Sequence, residues 1–210
     1  MVIEKELNLI LNKSSNLINV IALFIAMLIL ALFATKDVPE VKVTLIWICA
    51  TFALQMSMHN LFESDYNDGT LEQIFICNYP SQLVIFLKIF AHWLCFGLPI
   101  AVISFIIDVI TLGSNLYNSI LLILALLLST IGVVFVSAVG CSLTIGHNNS
   151  TAISQVLILP TIIPMFIHFY FIAQAHDINV LLIGGLLFIA FITVSGFVTH
   201  TAVKFAIQHS

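Results

Sequence analysis

Four carboxylates, Glu63, Asp65, Asp68 and Glu72, lie within ten residues of each other in a chain that holds only ten acids, six lysines and no arginine. Their neighbours show what they are attached to. Asp68-Gly69 is a turn pair, and Thr70-x-x-Gln73 has the capping-box pattern that starts a helix. Leu71, Ile74 and Phe75 then fall on one helical face, and Pro80 stops the run. Acids at the first turn also suit the positive end of the helix dipole. Two readings follow. One is an ordinary capped loop helix resting on a membrane. The other is a docking element, in which the acids meet basic residues of a soluble partner and govern docking rate and register.

Other candidates lie in apolar surroundings. An ionisable group inside a membrane span is a functional candidate by default, which singles out His92 and His168. The competing reading for His92-Trp93 is an interface anchor or a packed pair near a span end. Pro160 and Pro164 stand four apart on one helix face and predict a kink, either fixed curvature or a bend that changes during a cycle. Cys49, Cys77, Cys95 and Cys141 form no C-x-x-C pair, and three of them fall in apolar runs, where cysteine acts as a small apolar residue. The chain contains no G-x-S-x-G nucleophile setting and no paired acids within a span, so neither catalytic nor metal-binding residues are assigned.

The elements that position these residues are membrane spans. Only 8% of the 210 residues are charged while 61% are hydrophobic, against about 25% charged in soluble domains. Residues 109–176 contain no Asp, Glu, Lys or Arg. At about 1.5 Å per helical residue that stretch far exceeds a bilayer core of about 30 Å, so it crosses more than once. The turn-forming run from Gly146 to Ser150 divides it. The reading is an all-α membrane protein with six transmembrane helices at about 17–34, 43–62, 83–107, 117–145, 152–173 and 180–201, in one domain over 1–210. Residues 3–18 read as a short amphipathic interfacial helix, retained rather than cleaved. With both termini cytoplasmic, four lysines lie inside against two outside, a weak positive-inside bias. The absence of any basic stripe excludes nucleic acid as a partner. No G-x-x-x-x-G-K-[ST] loop is present, so active transport would need a separate ATPase.

The run from Phe62 to Gln73, then Lys88-Ile-Phe-Ala-His-Trp93, Gly97-Leu-Pro99 and Val156-Leu-Ile-Leu-Pro160-Thr-Ile-Ile-Pro164 resemble, in order and at similar spacing, the haem exporter protein B family. That family is the membrane subunit of the cytochrome c maturation ABC transporter. One departure is visible: members often carry a basic residue ahead of the acidic run, where this chain has His59-Asn60-Leu61-Phe62.

The resemblance implies an ABC-2-type permease fold, with an interfacial N-terminal helix and a cytoplasmic coupling helix between spans two and three. It implies that Asp65, Asp68, Gly69, Leu71 and Glu72 contact or position the ATPase subunit, and that His92, Trp93, Pro99, Pro160 and Pro164 belong to a conformational or substrate path. Haem is then the substrate rather than a cofactor of this chain, with ATP on the partner. The work done is haem export or release of a haem chaperone; the alternative is an ABC-2 permease for a lipid, glycan or drug. A His92–His168 pair could be offered for axial haem ligation, but their spacing does not demand it, and ligation on another subunit is the preferred reading. Expected partners are the ATPase, a second copy, other cytochrome c maturation membrane proteins and membrane lipid. The expected location is the bacterial inner membrane, or the mitochondrial inner membrane as the alternative.

Overall fold

The structure, a computed structural model, describes residues 14–35, 39–58, 61–76, 80–112, 116–146, 150–175 and 178–208. Among these residues the chain forms eight helices and no strand: α1 (Ser14–Ala34), α2 (Pro39–Met58), α3 (Glu63–Asn67), α4 (Thr70–Ile76), α5 (Ser81–Leu112), α6 (Leu116–Leu143), α7 (Ser150–Ala175) and α8 (Ile178–Gln208). Six of them are long and apolar enough to cross a bilayer. Helices are the economical solution there, because each satisfies its own backbone hydrogen bonds where no water can. An even number of crossings returns the chain to its starting side. The ends of α2, α6 and α8, together with α3 and α4, therefore share one face of the membrane.

The bundle is organised around α6, which packs against α2, α5, α7 and α8. Its small residues make this possible. Ala125, Ser129, Ser137 and Ala138 are fully buried, and a Cβ added at Gly132 would come within 2.3 Å of the Phe188 ring and 3.0 Å of Met165 Sδ. Close approach of this kind replaces the hydrophobic drive that lipid removes. Some 67% of the α6 span is buried, against 17% of the α1 span. Among the described residues α1 touches only α2 and α5, through the i, i+4, i+8 stripe Val20, Phe24 and Leu28. Its other side, with Phe33 and Leu30 outermost, faces lipid.

Three boundaries differ from the sequence reading. α5 continues past Asp108 to Leu112, although the charge was expected to end the span at 107. Asp108 is buried and accepts a 2.7 Å hydrogen bond from Ser119 Oγ of α6, so the carboxylate is held inside the bundle and the helix need not stop. α8 runs on to Gln208 instead of ending at 201, because Val203 is still fully buried against its neighbours. α2 ends at Met58, and helix resumes as α3 at Glu63, where one span was expected to reach 62. The proposed interfacial helix over residues 3–18 lies, up to residue 13, outside the described residues.

The glycine packing yields a paired prediction. Gly132→Ala should lower the thermal midpoint of the detergent-solubilised chain, since overpacking a tight contact costs about 1–3 kcal/mol. At Gly185 an added methyl meets nothing nearer than Leu128 Cδ1 at 3.9 Å, and Gly185→Ala should leave the midpoint unchanged. Equal midpoints for the two variants in a size-exclusion thermal-stability assay would contradict the assigned role of Gly132.

Candidate functional site

The polar chemistry of the chain gathers where α3 and α4 fold back onto the bundle. The chain leaves α2 through Leu61 and Phe62, both buried. Backbone bonds Tyr66 N–H to Phe62 O (2.9 Å) and Asp68 N–H to Ser64 O (3.0 Å) wind the five-residue α3. Gly69 then takes φ of 69°, the left-handed conformation that reverses the chain. The Thr70 hydroxyl donates back to the Asp65 carbonyl at 3.0 Å, which ties the start of α4 to α3.

The five residues expected at the docking element divide into two groups. Asp65 turns inward and pairs with Lys88 of α5, whose side chain is only 8% exposed. A lysine so buried needs a counter-ion, because the desolvation cost of an unpaired charge is large. Leu71 is likewise buried, and Gly69 makes the turn. These three position the segment. Asp68 and Glu72 are exposed and remain available to a partner.

The structure adds residues that sequence reasoning missed. Gln73 and Ile76 join the expected Glu72 on the outward face of α4, with Ile76 81% exposed. The i, i+4 relation of Glu72 to Ile76 was the available signal. On the inward face, the Phe75 ring stacks on His200 of α8 with centroids 5.6 Å apart. His200 Nε2 also lies 2.9 Å from Ser81 Oγ at the start of α5. α3 has a support of its own: a Cβ on Gly146, which has φ of 79°, would sit 3.4 Å from the Tyr66 hydroxyl.

His92 does not anchor at the membrane surface. It is buried, stacks on Phe96 at 4.5 Å, and its Nε2 lies 2.9 Å from Ser57 Oγ of α2. The Ser57 hydroxyl also lies 2.6 Å from Leu54 O, so the His92 ring is engaged across to α2. Trp93 also faces inward: its indole N–H donates to Thr130 Oγ1 at 3.2 Å, and its ring covers Gly97. His168 packs on Phe188 at 4.6 Å and directly over Gly184 of α8. α5 and α7 are not among the helix pairs that touch, with α6 packed against both, so His92 and His168 do not face each other. Pro99 is half-buried within α5, while Pro160 and Pro164 lie on the exposed side of a continuous α7. The two α7 prolines therefore face outward and do not line the interior of the bundle.

An all-α bundle of six spans, with a braced pair of short helices at one membrane face, defines a multi-pass membrane protein. Comparison with known proteins agrees with this. A family model described as CcmB protein matches residues 1–210, and the chain belongs to that family. It is 28% identical over 220 residues to heme exporter protein B of Haemophilus influenzae, covering 99% of this chain and 98% of the relative. The protein of that name from Pseudomonas aeruginosa is 31% identical over 173 residues, 80% of this chain and 76% of the relative. That of Escherichia coli K12 is 28% identical over 215 residues, 97% and 96% of the two chains.

The buried ion pair can be tested by its asymmetry. Lys88→Met alone should destabilise the chain by about 3–5 kcal/mol, because it strands a carboxylate at a partly buried site. Adding Asp65→Leu should recover most of that loss. Thermal midpoints of the three proteins in one detergent decide the matter, and a double variant no better than Lys88→Met would contradict the pairing.

Proposed function

We propose that this chain is the membrane subunit of an ABC-type complex that exports haem for c-type cytochrome biogenesis in the bacterial inner membrane, driven by a separate ATPase. Full-length membership of a family whose curated relatives are named heme exporter proteins supports haem as the substrate, over the lipid, glycan or drug alternative. The observation that carries the mechanism is the two-faced construction of α4. Its inner face is fixed by Leu71 and Phe75, and its outer face offers Glu72, Gln73 and Ile76 beside Asp68 of the preceding turn. A partner with an apolar pocket ringed by basic residues fits this surface: Ile76 supplies area to bury, and the two acids steer the encounter.

In this reading the α3–α4 side is cytoplasmic. The ATPase docks there, and its ATP-driven closure pushes on a helix that cannot yield alone. Asp65–Lys88 passes the displacement to α5, and Phe75–His200 passes it to α8. Haem is cargo, and His92 and His168 pack the bundle rather than bind it. The assembly is expected to include a second copy of this chain and other cytochrome c maturation membrane proteins.

The test is co-purification of the cognate ATPase with the tagged chain. Asp68→Lys with Glu72→Lys should reduce recovered ATPase by about tenfold or more while the chain accumulates normally; reversing two steering charges places like charges together at the contact. Wild-type binding should also weaken between low and high salt, since exposed pairs are screened over about 10 Å at 0.1 M. Undiminished recovery with the charge-reversed chain would remove α4 as the docking site.

A further inference from the structure

His200 is placed where the docking helix, the third span and the last span meet. It belongs to α8, yet its ring stacks on Phe75 of α4 at 5.6 Å and 30°, and its Nε2 lies 2.9 Å from the hydroxyl of Ser81, the first residue of α5. A phenylalanine at this position could supply the first contact but not the second, and a leucine neither. The surrounding turns of α8 are held firmly. Thr199 and Val203 are fully buried, and the Thr199 hydroxyl donates to Ser195 O at 2.8 Å. One turn earlier, Gly196 sits against Phe86 of α5, where an added Cβ would come to 3.1 Å. Phe86 in turn packs on Phe135 of α6 with centroids 4.9 Å apart. Contacts thus run from α4 to His200, along its own helix to Gly196, and from there through Phe86 and Phe135 to the central helix.

We infer that His200 is a positioning residue for transport: it locks α4 to the cytoplasmic end of α8, so that movement of the docking helix is delivered to the last span and to α6. The inference rests on α4 being the ATPase-docking element. It goes beyond that reading because His200 lies on the inner side of α4, facing away from the partner. Loss of His200 should therefore separate two events that loss of the outer acids abolishes together. The partner stays bound and hydrolyses ATP, but its work no longer reaches the spans. Helix α4 would then follow α5 alone, to which Asp65–Lys88 still joins the segment.

The experiment uses the full chain in membranes with its cognate ATPase. It reads three quantities: chain level, ATPase recovered per chain, and mature c-type cytochrome by haem stain. His200→Leu should keep the first two within about twofold of wild type and lower the third about tenfold, a coupling of the size measured between packed residues. His200→Phe, which keeps the ring stack, should fall between the two. Ser81→Ala added to His200→Leu should cause no further loss, since both act through one contact. Wild-type cytochrome levels in His200→Leu would overturn the inference. So would loss of the ATPase in step with the cytochrome, which would make His200 part of the docking platform. If His200→Leu fails to accumulate, Ser81→Ala alone decides, with about a threefold loss of cytochrome expected at normal chain level and no loss overturning the inference. Retention of ATPase by the chain carrying Asp68→Lys and Glu72→Lys is a separate result: it removes the docking reading, whatever His200→Leu does.

Discussion

Hydrocarbon offers no hydrogen-bond partner, and the polar side chains inside this bundle are arranged around that fact. Serine and threonine hydroxyls donate to carbonyls three or four residues back, as Ser104 does to Ile100 and Thr144 to Gly140. The indole of Trp47 crosses from α2 to Ser129 on α6. Asp108 accepts from Ser119, and Lys88 pairs with Asp65. Each cross-helix bond satisfies a group that would otherwise destabilise the fold, and each fixes which faces meet. Packing at the small residues of α6 then completes what the polar bonds orient. The outer surface can stay almost wholly apolar because lipid is its solvent.

The same constraint explains why the chemistry sits at one end of the molecule. Charges in the spans are tolerated only where a partner is within reach, and α3 brings one to Lys88 by folding back against α5. Asp68 and Glu72 lie exposed on the short turn and outer face beyond it. The supporting part and the receiving part are therefore different residues of one short segment, a few ångströms apart and facing opposite ways.

Much of the fold was legible in the sequence, because a 68-residue run without charge and a turn at Gly146 leave few alternatives. The position of the α3–α4 segment was legible for a similar reason: it is the one sizeable polar run between spans in the sequence. What could not be read was the facing of its side chains. A five-residue helix followed by a left-handed glycine has no periodicity long enough to set its phase, so Asp65 and Asp68 look alike in sequence while one is turned inward and the other outward. For His92 and Trp93 an interface anchor and a packed pair stayed open, because composition cannot tell a lipid-facing anchor from a residue pointing at Ser57 or Thr130. His200 gave no signal, since its partners lie 119 residues away at Ser81 and further still at Phe75.

The two-faced α4 has a consequence for how such a subunit can change over time. Leu71 and Phe75 hold the helix in place, while Asp68, Glu72, Gln73 and Ile76 carry little of the fold's stability. Substitutions at the outer positions can therefore accumulate with matching changes in a partner, without passing through unfolded intermediates. In the proposed reading, recognition is free to drift and diverge between lineages, whereas the inner contacts of Leu71 and Phe75 are held by the core.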